Sequence, residues 1–331
     1  MRLLIAGLGL VGARHAEAAR NHPKIELAAT VDPTLEGIEN TPHFPSVAAV
    51  NIPVDAALIA TPTGTHAALG AEAAARGWAV LVEKPIAASI TEGKALIAAC
   101  EAAGVPLLVG HHRRQHAFIQ TAREGIASGA VGTPVGVSAI WSVRKPAPYF
   151  KTAWRGDANG SPVMINLVHD IDLLQYLLGE IREITPLLSG ATRKGATEDT
   201  AAIALSFASG ALGTILMSDS APSPWSFEAA SGENPNIAAG GRDSYRIIGT
   251  EGALGLPSLT LWGGAKDWSE RLQTRPLTAP RTDPLAAQLD HFHDVVANGA
   301  APVCSGADGL SALAVAEAVR EGKPWKRMAE I

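Results

Sequence analysis

The 331-residue sequence predicts an α/β protein of two domains. Residues 1–115 form a doubly wound parallel sheet, and residues 116–331 form an α+β domain on a large, mainly antiparallel open sheet. Three observations carry this. Up to about residue 110, short apolar runs alternate with alanine-rich stretches, the signature of buried parallel strands with helices on both faces. Beyond residue 130 the runs lengthen, alternate apolar with polar, and are joined by Gly, Ser and Pro, as in antiparallel sheets. A glycine-rich turn links the first strand to the first helix.

In chain order, RLLIAG (2–7) is a strand and the following GARHAEAARNH opens a helix. IELAATVD (25–32) and DAALIAT (55–61) are the next two strands. HAALGAEAAARG (66–77) is helical, and WAVLVE (78–83) is the fourth strand. SITEGKALIAACEAAG (89–104) starts with Ser89 and Glu92 in capping-box spacing and stops at Gly104. PLLVG (106–110) completes this set. In the second half, 134–143, 200–208, 211–219 and 244–250 read as strands, and 166–178, 284–298 and 306–321 as helices. Residues 221–241 read as a long loop.

The balance of 27 basic and 32 acidic residues, net −5, argues against a partner built of phosphate backbone, as does the lack of any Lys/Arg run. No stretch reaches the roughly 18 apolar residues of a membrane span. Residues 1–16 have the outline of a secretion signal, but glycines at 7, 9 and 12 account for them better, and the expected setting is cytoplasmic. Cys100 and Cys304 lie far apart and read as small core residues in a reducing compartment. No metal site is expected: His291 and His293, two apart on a helix, point to different faces.

Gly7-x-Gly9-x-x-Gly12 follows a strand and opens a helix, and Asp32 lies 20 residues past Gly12. Glycines permit the tight turn and bring backbone N–H groups to a pyrophosphate, while the acid accepts from the adenosine ribose. This predicts a Rossmann domain. Asp32 repels a 2′-phosphate, which favours NAD, with Leu10 and Val11 also at the pyrophosphate. Thr61, Pro62, Thr63 and His66 follow the third strand on the ligand-binding edge, and Glu83 and Lys84 end the neighbouring strand on that edge. A lysine after so apolar a strand is paired or used.

GLGLVG, ATPTGTH, VEKPIA and VHDIDLL together resemble the Gfo/Idh/MocA dehydrogenases, which include inositol and glucose–fructose enzymes. The resemblance runs nearly end to end, since IIGTEGAL (247–254) fits that family's second domain. It implies that Lys84 sits beside the nicotinamide and contacts the reacting hydroxyl. It also implies that His169 is the general base, and that Arg155, in AWR, reaches cofactor or substrate. One position departs. Where family members commonly carry Asp four residues before this histidine, Ile165 stands here, and Asn166, three before His169, is the nearest polar replacement. Asn166 joins Lys84 and His169 as the expected catalytic set.

His112, Arg113, Lys145, Tyr149 and Arg155 are further candidates for substrate contact, with Lys84, Asn166 and His169. The expected function is NAD(H)-dependent hydride transfer at a secondary hydroxyl or ketone of a sugar, cyclitol or related polyhydroxy compound. Reduction of an imine or C=C bond is an alternative, as is a non-catalytic NAD- and sugar-sensing regulator. An open sheet with one apolar face implies a homodimer or homotetramer.

Overall fold

The computed structural model describes residues 1–151 and 160–327. The chain forms two compact units: Met1–Gln115 with Thr282–Ala314, and His116–Arg281 with Val315–Ile331. The segment 282–314, which the sequence placed in the second domain, thus joins the first unit.

In the first unit, β1 (Arg2–Ala6) leads to α1 (Leu10–Arg20), β2 (Glu26–Val31), the two-residue β3 (His43–Phe44) and β4 (Ala56–Ile59). Then follow α2 (His66–Ala75), β5 (Ala79–Glu83), α3 (Ile90–Ala103) and β6 (Leu107–Gly110). The strands pair in the order β3-β2-β1-β4-β5-β6, every pair parallel. The order reverses between β1 and β4, so the carboxyl ends of these strands open a crevice for a ligand. Strands covered on both faces are mostly apolar, and β4 and β5 are buried at every residue, with Glu83 at the end of β5 the one charged group among them.

Local chemistry sets the helix limits. Ser89 Oγ accepts from the Glu92 N–H at 3.2 Å, and Glu92 Oε2 accepts from the Ala88 N–H at 3.1 Å, so the capping box closes one residue earlier than its usual partner. Gly104, at φ 66°, ends α3 in the left-handed region.

The second unit begins with α4 (Ala117–Ala127), which the sequence reading did not include. Its buried Ile119, Ala122 and Ile126 keep helical spacing, so the signal was present. Next come β7 (Pro134–Ser142), α5 (Val168–Leu178), β8 (Ile181–Ser189), β9 (Thr200–Phe207) and β10 (Leu212–Ser218). The stretch read as a loop, 221–241, contains a short helix, α6 (Phe227–Ser231), capped by Ser226 Oγ on the Ala229 N–H at 3.2 Å. It is also well anchored. Phe227 is fully buried, Trp141 Nε1 donates to Glu228 at 2.8 Å, and the buried His116 meets Glu233 at 3.0 Å. After β11 (Tyr245–Gly249), β12 (Gly252–Leu256), β13 (Thr260–Gly263) and β14 (Gln273–Pro276), the chain returns to the first unit.

There α7 (Pro284–Asn298) begins at Asp283, whose Oδ1 accepts from the Leu285 N–H at 2.9 Å. Leu289, Phe292 and Val295 of α7 join Leu3, Ile5, Leu58 and Leu81 in one core cluster. The last long helix, α8 (Gly306–Arg320), carries the chain back to the second unit, where β15 (Trp325–Lys326) adds an edge strand. Among the described residues the second sheet has nine strands in the order β14-β13-β12-β11-β7-β10-β9-β8-β15, and only β7 and β10 pair in parallel. One face is buried through Val137, Ala139, Ile203, Leu205, Ile215 and Met217. On the other, Leu187, Leu212, Leu216 and Ile248 stand exposed.

Truncating Phe292 to Ala removes a fully buried ring from the first unit's core. The expected loss is about 3–5 kcal/mol, read from urea unfolding. A loss within about 0.5 kcal/mol, the scale of a surface change, would show that α7 is peripheral to that core.

Candidate active site

The carboxyl edge of the first sheet gathers most of the candidate residues. Gly7, at φ 90°, ends β1. A Cβ there would lie 2.6 Å from the Ala60 carbonyl oxygen, and one on Gly12 would lie 1.9 Å from that of Gly7. Only glycine lets the turn and the first turn of α1 close on each other. Gly9 differs, since a Cβ there would meet nothing within 4 Å, so the turn is open on that side. No side chain caps α1 at Gly9, and Leu10 and Val11 are exposed beside it. An uncapped helix N-terminus under an open glycine turn is a phosphate cradle.

Asp32 closes the cradle from behind. Its Oδ2 accepts from the Leu8 N–H at 3.0 Å, and its Oδ1 accepts from the N–H groups of Thr34 and Leu35 at 2.9 and 2.8 Å and from Thr34 Oγ1 at 3.0 Å. Burial alone would raise its pKa, but these donors outweigh burial and hold it at about 2. The group is therefore an anion at any working pH. Its contribution to stability is whole above the ordinary carboxylate range and is lost as pH falls toward about 2. Oδ2 retains acceptor capacity for a ribose hydroxyl.

Beyond β4, Thr61, Pro62 and Thr63 enter a short turn in which Thr65 Oγ1 donates to Thr61 Oγ1 at 2.7 Å or to the Pro62 carbonyl oxygen at 2.8 Å. His66 starts α2 and is buried, its Nδ1 2.9 Å from the Pro85 carbonyl oxygen and its Nε2 2.8 Å from that of Thr61. Glu83, also buried, pairs with His15 Nε2 at 2.7 Å and accepts from the Lys84 N–H at 3.2 Å. Burial pushes the Glu83 pKa up, but the hydrogen bond and charge of His15 prevail and hold it at about 2. Sequence reasoning did not single out His15. Its place with Gly12, Ala16 and Ala19 on the buried stripe of α1 was the available signal. Lys84, half-buried, follows at the end of β5.

After β6, His112 is half-buried and Arg113 is 1 % exposed, so the turn is not a solvated basic one. Arg114 beside them is structural, donating to the Val303 carbonyl oxygen at 2.7 Å and facing Asp308 at 3.4 Å. His291 is structural as well, since its Nε2 accepts from the Val303 N–H at 2.9 Å.

The remaining candidates belong to the second unit. The helix expected over 166–178 is regular only from Val168, and Val163–Leu167 form a wider π-helical turn. Asn166 lies within that turn, so the i, i+3 relation to His169 is not that of a regular helix. Its Oδ1 is buried and has no hydrogen-bond partner among the described residues. His169 is buried on α5 between Val168 and Asp170, and the Tyr245 hydroxyl donates to Asp170. Lys145 lies against Asp219, with Nζ 3.4 Å from Oδ2 and 4.8 Å from the centre of the Tyr149 ring. Burial pushes the Lys145 pKa down, and Asp219 works in the opposite direction. Arg155 lies outside the described residues. Among the described residues, no group of His, Cys, Asp and Glu could hold a metal ion, and no helix is long and apolar enough to cross a membrane.

Residues 1–111 match the model of an oxidoreductase family with an NAD-binding Rossmann fold, and residues 119–255 match the GFO/IDH/MocA C-terminal domain. The chain belongs to the Gfo/Idh/MocA family of oxidoreductases. NAD is its cofactor. Its relatives include the scyllo-inositol 2-dehydrogenase (NAD+) of Bacillus subtilis, 28% identical, with 98% of this chain and 95% of that protein covered. The D-apiose dehydrogenase of Paraburkholderia graminis is 26% identical, with 96% and 88% covered. Among solved structures, an oxidoreductase from Agrobacterium radiobacter in complex with NAD+, L-tartaric acid and magnesium superposes with a TM-score of 0.80. It is 20% identical, with 98% of each chain covered, and shows the shared fold.

With Asp32 held as an anion at the end of β2, the expectation is that NADH binds more tightly than NADPH and that Asp32→Ala narrows the gap. Fluorescence titration of both cofactors checks this, and equal affinities in the parent protein would sink the assignment.

Proposed function

We propose that this family member oxidises a secondary hydroxyl of a sugar, cyclitol or related polyhydroxy compound, or reduces the matching ketone. The observation that carries the reading is Lys84. The cofactor-binding edge is where it emerges, one residue after a buried, ion-paired carboxylate that also holds its backbone N–H. The names of the relatives, inositol and apiose dehydrogenases, support the same substrate class.

NAD supplies the hydride acceptor when bound. Gly7, Gly9 and Gly12 and the first turn of α1 hold the pyrophosphate, and Asp32 the adenosine ribose. Thr61, Pro62 and Thr63 line the same edge. Lys84 Nζ donates a hydrogen bond to the reacting oxygen and stabilises the negative charge that develops as its proton leaves. His169 Nε2 accepts that proton, which requires neutral imidazole. Asn166, where relatives carry a carboxylate, offers a neutral hydrogen-bonding group and places no negative charge there to hold the imidazolium. His112, Arg113, Lys145, Tyr149 and Arg155 complete the proposed substrate contacts. In this reading Cys100 and Cys304, both buried, suit a reducing cytoplasm.

The deciding experiment follows NADH formation across a panel of sugars, cyclitols and hydroxy acids. Lys84→Ala should leave NADH affinity within a few-fold and lower turnover by at least ~10², as for loss of an oxyanion donor. His169→Asn should remove the rise of oxidation rate with pH. Turnover near the parent level in Lys84→Ala would make that residue structural. Binding of NADH with no hydride transfer to any panel member would favour the sensing role.

We further propose a homodimer or homotetramer through the open sheet face. Leu187 pairs in register with Ala202, and Ala202 with Leu216, forming an apolar row across β8, β9 and β10. Leu216→Glu should shift the molecular mass measured by light scattering toward the monomer. An unchanged mass would move the interface elsewhere.

A further inference from the structure

His66 was read from the sequence as a cofactor contact, and its own surroundings point to work within the protein. The ring is 1 % exposed, and both nitrogens lie against backbone carbonyl oxygens, Pro85 at 2.9 Å and Thr61 at 2.8 Å. A carbonyl oxygen only accepts. Each ring nitrogen must therefore donate, and a histidine that donates from both is an imidazolium. The two carbonyls belong to the segments that carry the site's chemistry. Thr61 opens the Thr61-Pro62-Thr63 stretch after β4, and Pro85 directly follows Lys84 after β5.

We propose that His66 is a positioning residue, a doubly protonated clamp that fixes the cofactor-contacting turn after β4 and the Lys84 turn after β5 relative to each other. The proposal rests on the reading of Lys84 given above. It accounts for a feature that the glycine motif and the lysine do not explain, namely how two irregular segments leaving adjacent strands keep one spacing. Neighbouring charges bear on the clamp in opposite directions. Burial is the largest influence and leaves the His66 pKa below its ordinary value, with Lys84 acting in the same direction, although the two accepting carbonyls and the Glu83 carboxylate favour the cation. Contacts of hydrogen-bond length on both sides of the ring decide for the cation, because a neutral ring would set a lone pair against one carbonyl.

Two conservative variants separate the two ends of the clamp. Asn places its amide nitrogen where Nδ1 lies and keeps the Pro85 bond, and Gln places its amide nitrogen where Nε2 lies and keeps the Thr61 bond. His66→Asn should weaken NADH binding about tenfold, the effect of losing one charge-assisted bond of roughly 1.4 kcal/mol. Lys84 should then titrate as in the parent, followed by the 13C shift of its ε-carbon. His66→Gln should do the reverse, with NADH affinity within about twofold and the Lys84 titration displaced. In the parent, 15N shifts should show both ring nitrogens of His66 protonated at pH 7. A single protonated nitrogen would overturn the imidazolium. Variants that lower only the melting temperature, with both readouts unchanged, would reduce His66 to a packing residue. Neither readout needs turnover, so a failure of Lys84 in catalysis, seen with Lys84→Ala, remains distinct from a failure of the clamp.

Discussion

A carboxylate buried at the end of a parallel strand is unfavourable unless it is compensated, and the compensation of Glu83 organises the edge of the first unit. One oxygen faces His15 of α1, and the other takes the Lys84 N–H. The helix that begins at the phosphate cradle and the turn that bears the lysine are therefore tied to a single side chain. Gly110 on the neighbouring strand follows from the same constraint, since a Cβ there would sit 3.1 Å from both Glu83 Cα and its carboxylate. Asp32 repeats the principle one strand beyond β1, gripping the glycine turn through Leu8. Two buried anions, each held by local donors, thus set the geometry of this edge.

The parallel sheet was legible because burial on both faces leaves little choice but apolar residues in β1 after Arg2, in β4, and in β5 before Glu83. The edges were not. β3 is two residues long, and β14 is exposed at every position, so neither carries a pattern to read. The second unit's central strands announced themselves by alternation, since one face is covered and the other is not. The helix α4 was readable from Ile119, Ala122 and Ile126, but a spacing that begins right after a polar turn is easily passed over.

The candidate site was legible in its motif residues and opaque in how they are held. Glycine spacing, Asp32 and the lysine after β5 follow from local sequence. That His15 would reach Glu83, or that His66 would face the Pro85 carbonyl as well as that of Thr61, depends on partners 68 and 19 residues away, which no local pattern encodes. The wide turn at Val163–Leu167 is hidden for another reason. Its residues are ordinary helix-compatible ones, and only the backbone shows that Asn166 does not occupy a regular helical position.

The return of α7 to the first unit has a consequence for synthesis on the ribosome. Leu3, Ile5, Leu58 and Leu81 leave the exit tunnel early, yet the partners that cover them, Leu289, Phe292 and Val295, follow some two hundred residues later. Through that interval the nascent sheet carries an apolar face whose α7 partners have yet to be made. A gene fragment ending at residue 115 would leave the same surface permanently bare. A minimal nucleotide-binding module cut from this chain would need the 282–314 segment spliced back through a linker.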